Sequence, residues 1–448
     1  MSDVLERQDW VPSREDILRA RDRGNVRAAR SGGRRMWLLM LLAGPGILAM
    51  LGENDGPSML SYAQTGATYG VGFFIPFILL TFAMAFVVQE MTVRIGAATH
   101  RGHAKLIFDR FGPFWGYFAM GDLAVGNLLT LITEFIAIRA GAAYFGIPAW
   151  IAVTGGIVVV AAAMSSRRYF TWERAVLTLA FGNLLFIPAA MFAHPDYAAI
   201  GHALATWAPL PGGFTFGFLT LVMANIGATV TPWMLFFQQG AVVDKGLTKR
   251  DVPQGREDTA LGAALAAVAG LAALIVCVPL YTHGVHSASL NSGADFATAL
   301  RPYIGSTGAA LFALGLIEAG LVAAMTISTS SAYAFGEAFH SGRSLNLDFP
   351  QGRLFYLTAF LSVVIAAAVV MVPHAPLLAL TITVNVIATM LMGPAMLLLF
   401  ILINDREIVG ELANTAWQNV AAGIVVIGIV LVGALYGVIT VFPQLLGG

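Results

Sequence analysis

Apolar residues run along this chain in long blocks, separated by short polar stretches. Reading between the polar breaks gives about eleven blocks, near 36–68, 71–95, 113–145, 147–164, 173–193, 214–242, 259–282, 308–337, 353–373, 376–403 and 416–442. A helix needs roughly 20 consecutive apolar residues to cross a bilayer, so each block predicts a membrane span. Three of them (113–145, 308–337 and 376–403) exceed one bilayer thickness and predict helices that tilt or project. Segment 12–30 alternates in charge and predicts a short surface helix.

Composition agrees with this pattern. Only 11% of the 448 residues are charged and 58% are hydrophobic, with a mean hydropathy of +0.77. Soluble domains carry about 25% charged residues, so most of this surface faces lipid. The first 35 residues are polar and Arg-rich without a short apolar stretch, so no cleavable signal peptide is expected. The single cysteine, Cys277, excludes an intrachain disulfide framework. Net charge is zero, but its distribution is informative. Nine arginines fall before residue 36, and further basic residues occupy alternate loops, while the remaining loops hold only Arg301. The positive-inside rule then places the N-terminus in the cytoplasm, and an odd span count places the C-terminus outside. The expected localisation is a cell membrane, with the basic tail as an anchor at anionic lipid.

Two blocks are interrupted in their middle. The first contains Gly52-Glu53-Asn54-Asp55-Gly56-Pro57-Ser58, a run that cannot hold a regular helix. Freed backbone carbonyls survive at membrane depth only where they line a cavity or meet an ion. Glu53 and Asp55 lie in that break, and intramembrane carboxylates are costly enough to be read as functional. The second interruption, Gly227-Ala228-Thr229-Val230-Thr231-Pro232-Trp233, falls in the sixth block. Paired broken helices at corresponding positions of two five-helix halves predict an inverted-repeat transporter with its site at the midplane.

These stretches resemble the Nramp family of divalent-metal transporters. That family reads Asp-Pro-Gly-Asn in its first helix, where this chain has Asp55-Gly56-Pro57-Ser58, and Ala-Thr-Val-Met-Pro-His in its sixth, where this chain has Ala228-Thr229-Val230-Thr231-Pro232-Trp233. Further similar stretches are Gln64–Gly70, Arg94–Thr99, Trp172-Glu173-Arg174 and Asp405–Gly410, in one register over about 36–411. The resemblance implies an all-α polytopic protein with a leucine-transporter-type fold: repeat one over about 36–193, repeat two over about 214–403, and an extra helix over 416–442, after a basic tail at 1–35. It also implies metal ligands at Asp55, Ser58, Ala228, Thr231 and Asn385, to which Glu53 adds a second possible anion.

The departures from the family pattern change the expected ion. Thr231 stands where the family has a soft thioether, leaving carboxylate, hydroxyl, amide and carbonyl oxygens. Such hard donors suit Mg²⁺ and Mn²⁺, whereas Ca²⁺ wants six to eight oxygens. The pattern is similar to the Nramp-related magnesium transporters, so Mg²⁺ is the expected substrate and Mn²⁺ the second. The family's proton path aligns with Leu131, Glu134 and Trp233, and only Glu134 can titrate. The expectation is therefore alternating-access entry without proton coupling. A potential of 100 mV offers about 2.3 kcal/mol per charge, and twice that for a divalent ion. The alternatives are a proton-coupled Mn²⁺/Fe²⁺ symporter of ordinary Nramp type, or an amino-acid transporter of the same fold. Carboxylates at the break argue against the latter.

Glu318 is a further candidate for the proton path or gating, or else an ion-pair partner of Arg139; Trp233 is a candidate gate or packing residue. Glu90 and Asp122 read as structural or gating, and His100 and His103 as solvated loop residues. No Walker A, GxSxG, HExxH or CxxC motif occurs, so an enzyme is not expected. Neither a cofactor nor a nucleic-acid partner is expected, and the expected state is a monomer.

Overall fold

The computed structural model describes residues 14–33, 35–209, 212–285, 290–372 and 377–442, and they are almost entirely helical. A surface helix α1 (Arg14–Ser31) and a short α2 (Arg35–Leu42) lead into a broken pair, α3 (Pro45–Glu53) and α4 (Gly56–Tyr69). Next come α5 (Phe74–Thr99), the loop helix α6 (His103–Phe111), α7 (Pro113–Tyr144) and α8 (Ala149–Met164). Helix α9 (Tyr169–Ala180) tightens into a 3₁₀ turn over Phe181–Leu185 and continues as α10 (Phe186–Phe192). After α11 (Tyr197–Thr206) comes the second broken pair, α12 (Phe216–Gly227) and α13 (Pro232–Lys245). The chain closes with α14 (Val252–Thr282), α15 (Gly293–Ala338), α16 (Arg353–Val370), α17 (Leu377–Asn404), the short α18 (Arg406–Val409) and α19 (Ala416–Val441).

Among the described residues, nine helical segments are long and apolar enough to cross a membrane. The α3–α4 pair and the 16-residue α8 account for the other two expected spans. The largest departure from the expected spans is α15, which runs 46 residues. It is two helices meeting at Gly305, whose φ of +71° is left-handed backbone that a glycine adopts without strain. The expected block began at 308 because Asp295 and Arg301 make the first piece too polar to register as a span.

Close packing around the broken helices depends on small residues. A Cβ on Gly46 would sit 2.5 Å from Thr259 Oγ1, and one on Gly66 would sit 2.1 Å from the Leu274 carbonyl. Helix α14 therefore lies directly against both halves of the first broken pair, as helices in membranes do when backbones approach closely. The end of the bundle carrying the basic loops is tied by buried ions. Lys245 Nζ meets both oxygens of Glu173, at 2.9 and 2.8 Å, and the Ala43 carbonyl at 2.6 Å. Asp258 accepts the N–H groups of Gly44 and Gly46 at 2.9 and 2.7 Å, so a residue of α14 caps the start of α3. Glu90 pairs with Arg94 at 2.7 Å and with Arg256.

His103 is not solvated. As the first residue of α6 it lies 1% exposed, with its ring edge-on to Phe236 at 4.8 Å. Its ring nitrogens are buried beside the Gln239 amide, and burial lowers its pKa to about 4. His100, by contrast, is exposed.

Candidate functional site

The first break is two residues long. Helix α3 ends at Glu53, Asn54 and Asp55 follow, and α4 restarts at Gly56 with Pro57 in its first turn, where a missing N–H costs nothing. Asp55 has extended backbone, φ −79° and ψ 178°, and its carboxylate caps α4 by accepting the Ser58 N–H at 2.8 Å.

The second break faces the first. Thr231 occupies the capping position of α13, but its hydroxyl does not cap the helix; it donates to Glu53 Oε2 at 2.6 Å. A second tie runs from the Tyr62 hydroxyl to the Ala228 carbonyl, at 2.9 Å. Glu134 enters from α7 and accepts the Gly56 N–H at 3.0 Å. Glu53, Asp55 and Glu134 are buried within electrostatic reach of one another, and no basic side chain is among the groups acting most strongly on them. Glu53 Oε1, Asn54 Oδ1, Ser58 Oγ and Glu134 Oε1 are buried there and none closes a hydrogen bond of ordinary geometry, although the Ser58 hydroxyl and the Glu134 carboxyl both face Asp55. Buried oxygens are nearly always satisfied, so four orphans around one break require an explanation. They can accept donors, or they can bind a cation.

The expected site residues are only partly gathered. Asp55, Ser58, Glu53, Thr231 and Glu134 are joined through the bonds just described. Ala228 joins them through its carbonyl, already engaged by Tyr62. Asn385, on α17, meets α4 beyond Ser58, where its amide nitrogen donates to Ser61 Oγ at 2.9 Å. Trp233 packs its ring over Gly52 and against Phe237, and its indole N–H faces Glu53 without closing a hydrogen bond. Glu318 is elsewhere. Both its oxygens accept from Asn183 Nδ2, at 3.2 and 3.1 Å, in the 3₁₀ turn between α9 and α10. The expected pairing of Glu318 with Arg139 does not form, because Arg139 donates instead to the Val370 carbonyl at 2.7 Å.

Two residues of the constellation escaped the sequence reading. Asn54 lies in the break itself, its Nδ2 donating to the Ala266 carbonyl at 2.7 Å. Tyr62 stands seven residues after Asp55, the spacing that returns to one face of a helix, and that spacing was the available signal. Among the described residues, no group of three or more His, Cys, Asp or Glu side chains is gathered tightly enough to hold a metal by itself. Any cation here would be held by a mixture of carboxylate, hydroxyl and carbonyl oxygens.

Comparison with known proteins bears on this arrangement. The family pattern described as "Natural resistance-associated macrophage protein-like" matches residues 46–440, both breaks included. The chain belongs to the Nramp family. Its curated Nramp relatives include the divalent metal cation transporter MntH of Yersinia pestis (strain Pestoides F), 26% identical over 66% of this chain and 73% of that protein. The MntH of Deinococcus radiodurans is 26% identical over 68% of this chain and 71% of its own length. A solved structure of the Eremococcus coleocola manganese transporter superposes with a TM-score of 0.70, at 21% identity over 89% of this chain and 86% of that one. MhsT, solved with L-phenylalanine, superposes with a TM-score of 0.58, at 12% identity over 88% of this chain and 97% of its own. This Nramp chain thus has the leucine-transporter-type fold, and it is not an enzyme.

Proposed function

We propose that this chain carries a divalent metal ion across the membrane through the paired breaks, taking Mn²⁺ and, by the chemistry of its own donors, Mg²⁺. The observation that carries this reading is the set of unpartnered oxygens around Asp55, among three buried carboxylates without a basic partner. Buried anions need a countercharge, and a divalent cation supplies it. Family membership and the relatives named as divalent metal cation transporters support a divalent metal as cargo, and Mn²⁺ is the metal named for the Eremococcus coleocola transporter that shares the fold. Mg²⁺ is supported by Thr231: its hydroxyl replaces a soft sulfur donor, and the named donors are all oxygens. The likeness to MhsT is one of fold and lends no support to an organic solute.

One observation favours proton-coupled entry over purely potential-driven entry. Glu134 is the titrating group left on the implied proton path, and it lies beside Asp55 on the Gly56 N–H. A cation arriving at Asp55 therefore favours loss of any proton held on Glu134, since a nearby positive charge stabilises the ionised form.

The test is flux in proteoliposomes loaded with a pH dye. Mn²⁺ and Mg²⁺ uptake should both occur in the wild type and vanish in Asp55→Ala; unchanged uptake in that variant would overturn the site. Metal-driven acidification that disappears in Glu134→Gln would support coupling, and uptake without any pH change would return the mechanism to potential-driven entry.

A further inference from the structure

At the basic-loop end of the bundle, well away from the paired breaks, helix α1 lies over a cavity of about 660 Å³. That volume falls within the range of small-molecule sites, roughly 300–1,000 Å³. Its walls carry Arg23, Arg27 and Arg30 from α1, Lys245 from the end of α13, and Lys249 and Arg250 from the turn before α14. The two acids in the lining are already committed. Asp251 pairs with Arg30 at 2.5 Å and Asp22 with Arg168 at 3.4 Å, while Lys245 is spent on Glu173. Arg23, Arg27, Lys249 and Arg250 are exposed and form no ion pair among the described residues, so four solvent-facing positive charges line one recess. The floor is apolar, built from Val26, Leu41, Leu42 and Phe170.

A topology anchor needs only basic residues near the membrane. It does not need them drawn from two distant segments around one half-open recess with an apolar floor. We propose that this cavity is a binding site for a phosphate-bearing anion with an apolar portion. The guanidinium groups of Arg23 and Arg27 suit bidentate contacts to phosphate oxygens, and Lys249 and Arg250 add charge from the opposite wall. The apolar floor takes the remainder of the ligand. Two sources share this chemistry: the headgroup of an anionic phospholipid, and a soluble polyphosphate or nucleotide. Either one clamps α1 to the turn before α14, next to the Lys245–Glu173 pair. The site is independent of the transport reading and stands or falls separately from it.

The experiment uses the full-length protein in detergent. Isothermal titration with tripolyphosphate tests the soluble source, and native mass spectrometry after addition of phosphatidic acid or phosphatidylcholine tests the lipid source. The variant is Arg23→Gln/Arg27→Gln, with Arg353→Gln/Arg406→Gln as the charge-matched control outside the cavity. Saturable one-to-one tripolyphosphate binding, weakened by about tenfold or more in the cavity variant and not in the control, supports the site with a soluble ligand. One retained copy of phosphatidic acid, lost in the cavity variant alone, supports it with a lipid. Equal losses in the two variants, or no binding in either arm, would overturn it. A matching thermal midpoint for cavity variant and wild type without ligand confirms that the comparison is between folded proteins.

Discussion

At the scale of single residues, Thr231 and His103 make the sharpest predictions. Thr231 spends its hydroxyl on Glu53, joining the two breaks with one short bond. Thr231→Met removes that bond and restores a soft donor, so Cd²⁺ should compete against Mn²⁺ uptake at several-fold lower concentration than in the wild type. Unchanged Cd²⁺ competition would show that residue 231 does not touch the ion. His103 is a test of pH. Burial holds its pKa at about 4, against 6.5 in the unfolded chain, so the unfolded state binds its proton more tightly between those values. Its contribution is complete above pH 6.5 and is lost as pH falls toward 4. Going from pH 7 to pH 5 should cost about 2 kcal/mol through this residue. Melting curves should show a smaller acid-induced drop for His103→Leu than for the wild type. The sequence could not show this burial, since a polar loop between Arg101 and Lys105 reads as solvent-facing until α6 docks on Phe236.

At the scale of elements, the breaks were legible because their causes are local: Gly, Asn, Asp and Pro stop and restart a helix wherever they occur. What fills the breaks was not legible. Thr231 reaches Glu53 across 178 positions and Tyr62 reaches Ala228 across 166, contacts that only the packing of α3 against α13 and of α4 against α12 creates. The same holds for Glu318, whose partner is an asparagine in a 3₁₀ turn that hydropathy does not mark. The tie between α13 and α9 yields a prediction at this level. Lys245→Met leaves Glu173 buried and unpaired, which should destabilise the protein by about 3–5 kcal/mol. Glu173→Leu/Lys245→Met should recover most of that loss, read from thermal midpoints by fluorescence-detected size exclusion. Equal midpoints for the single variant and wild type would mean that the pair carries no weight. Gly227 offers a steric counterpart. A Cβ there would lie 1.9 Å from the Asn385 carbonyl, so Gly227→Ala should force α12 from α17 and lower folded yield sharply, as overpacking does.

At the scale of the whole molecule, the eleven expected spans follow from hydropathy alone, because lipid requires long apolar helices whatever the fold. Their orientation rests on basic residues in alternate loops, and it can be checked directly. In a Cys277→Ala background, Arg301→Cys should react with a membrane-impermeant maleimide in intact cells, and Arg343→Cys only after permeabilisation; the reverse pattern would invert the topology. The ties between the two breaks bear finally on speed. On the function proposed above, the protein solvates its own site: Tyr62 occupies the Ala228 carbonyl and Thr231 one oxygen of Glu53, so an ion would trade its water against ligands that are already engaged. Throughput then depends on how readily those partners swap places. An ion that captured every oxygen at once would be a blocker, and the best cargo is one held just well enough to be let go.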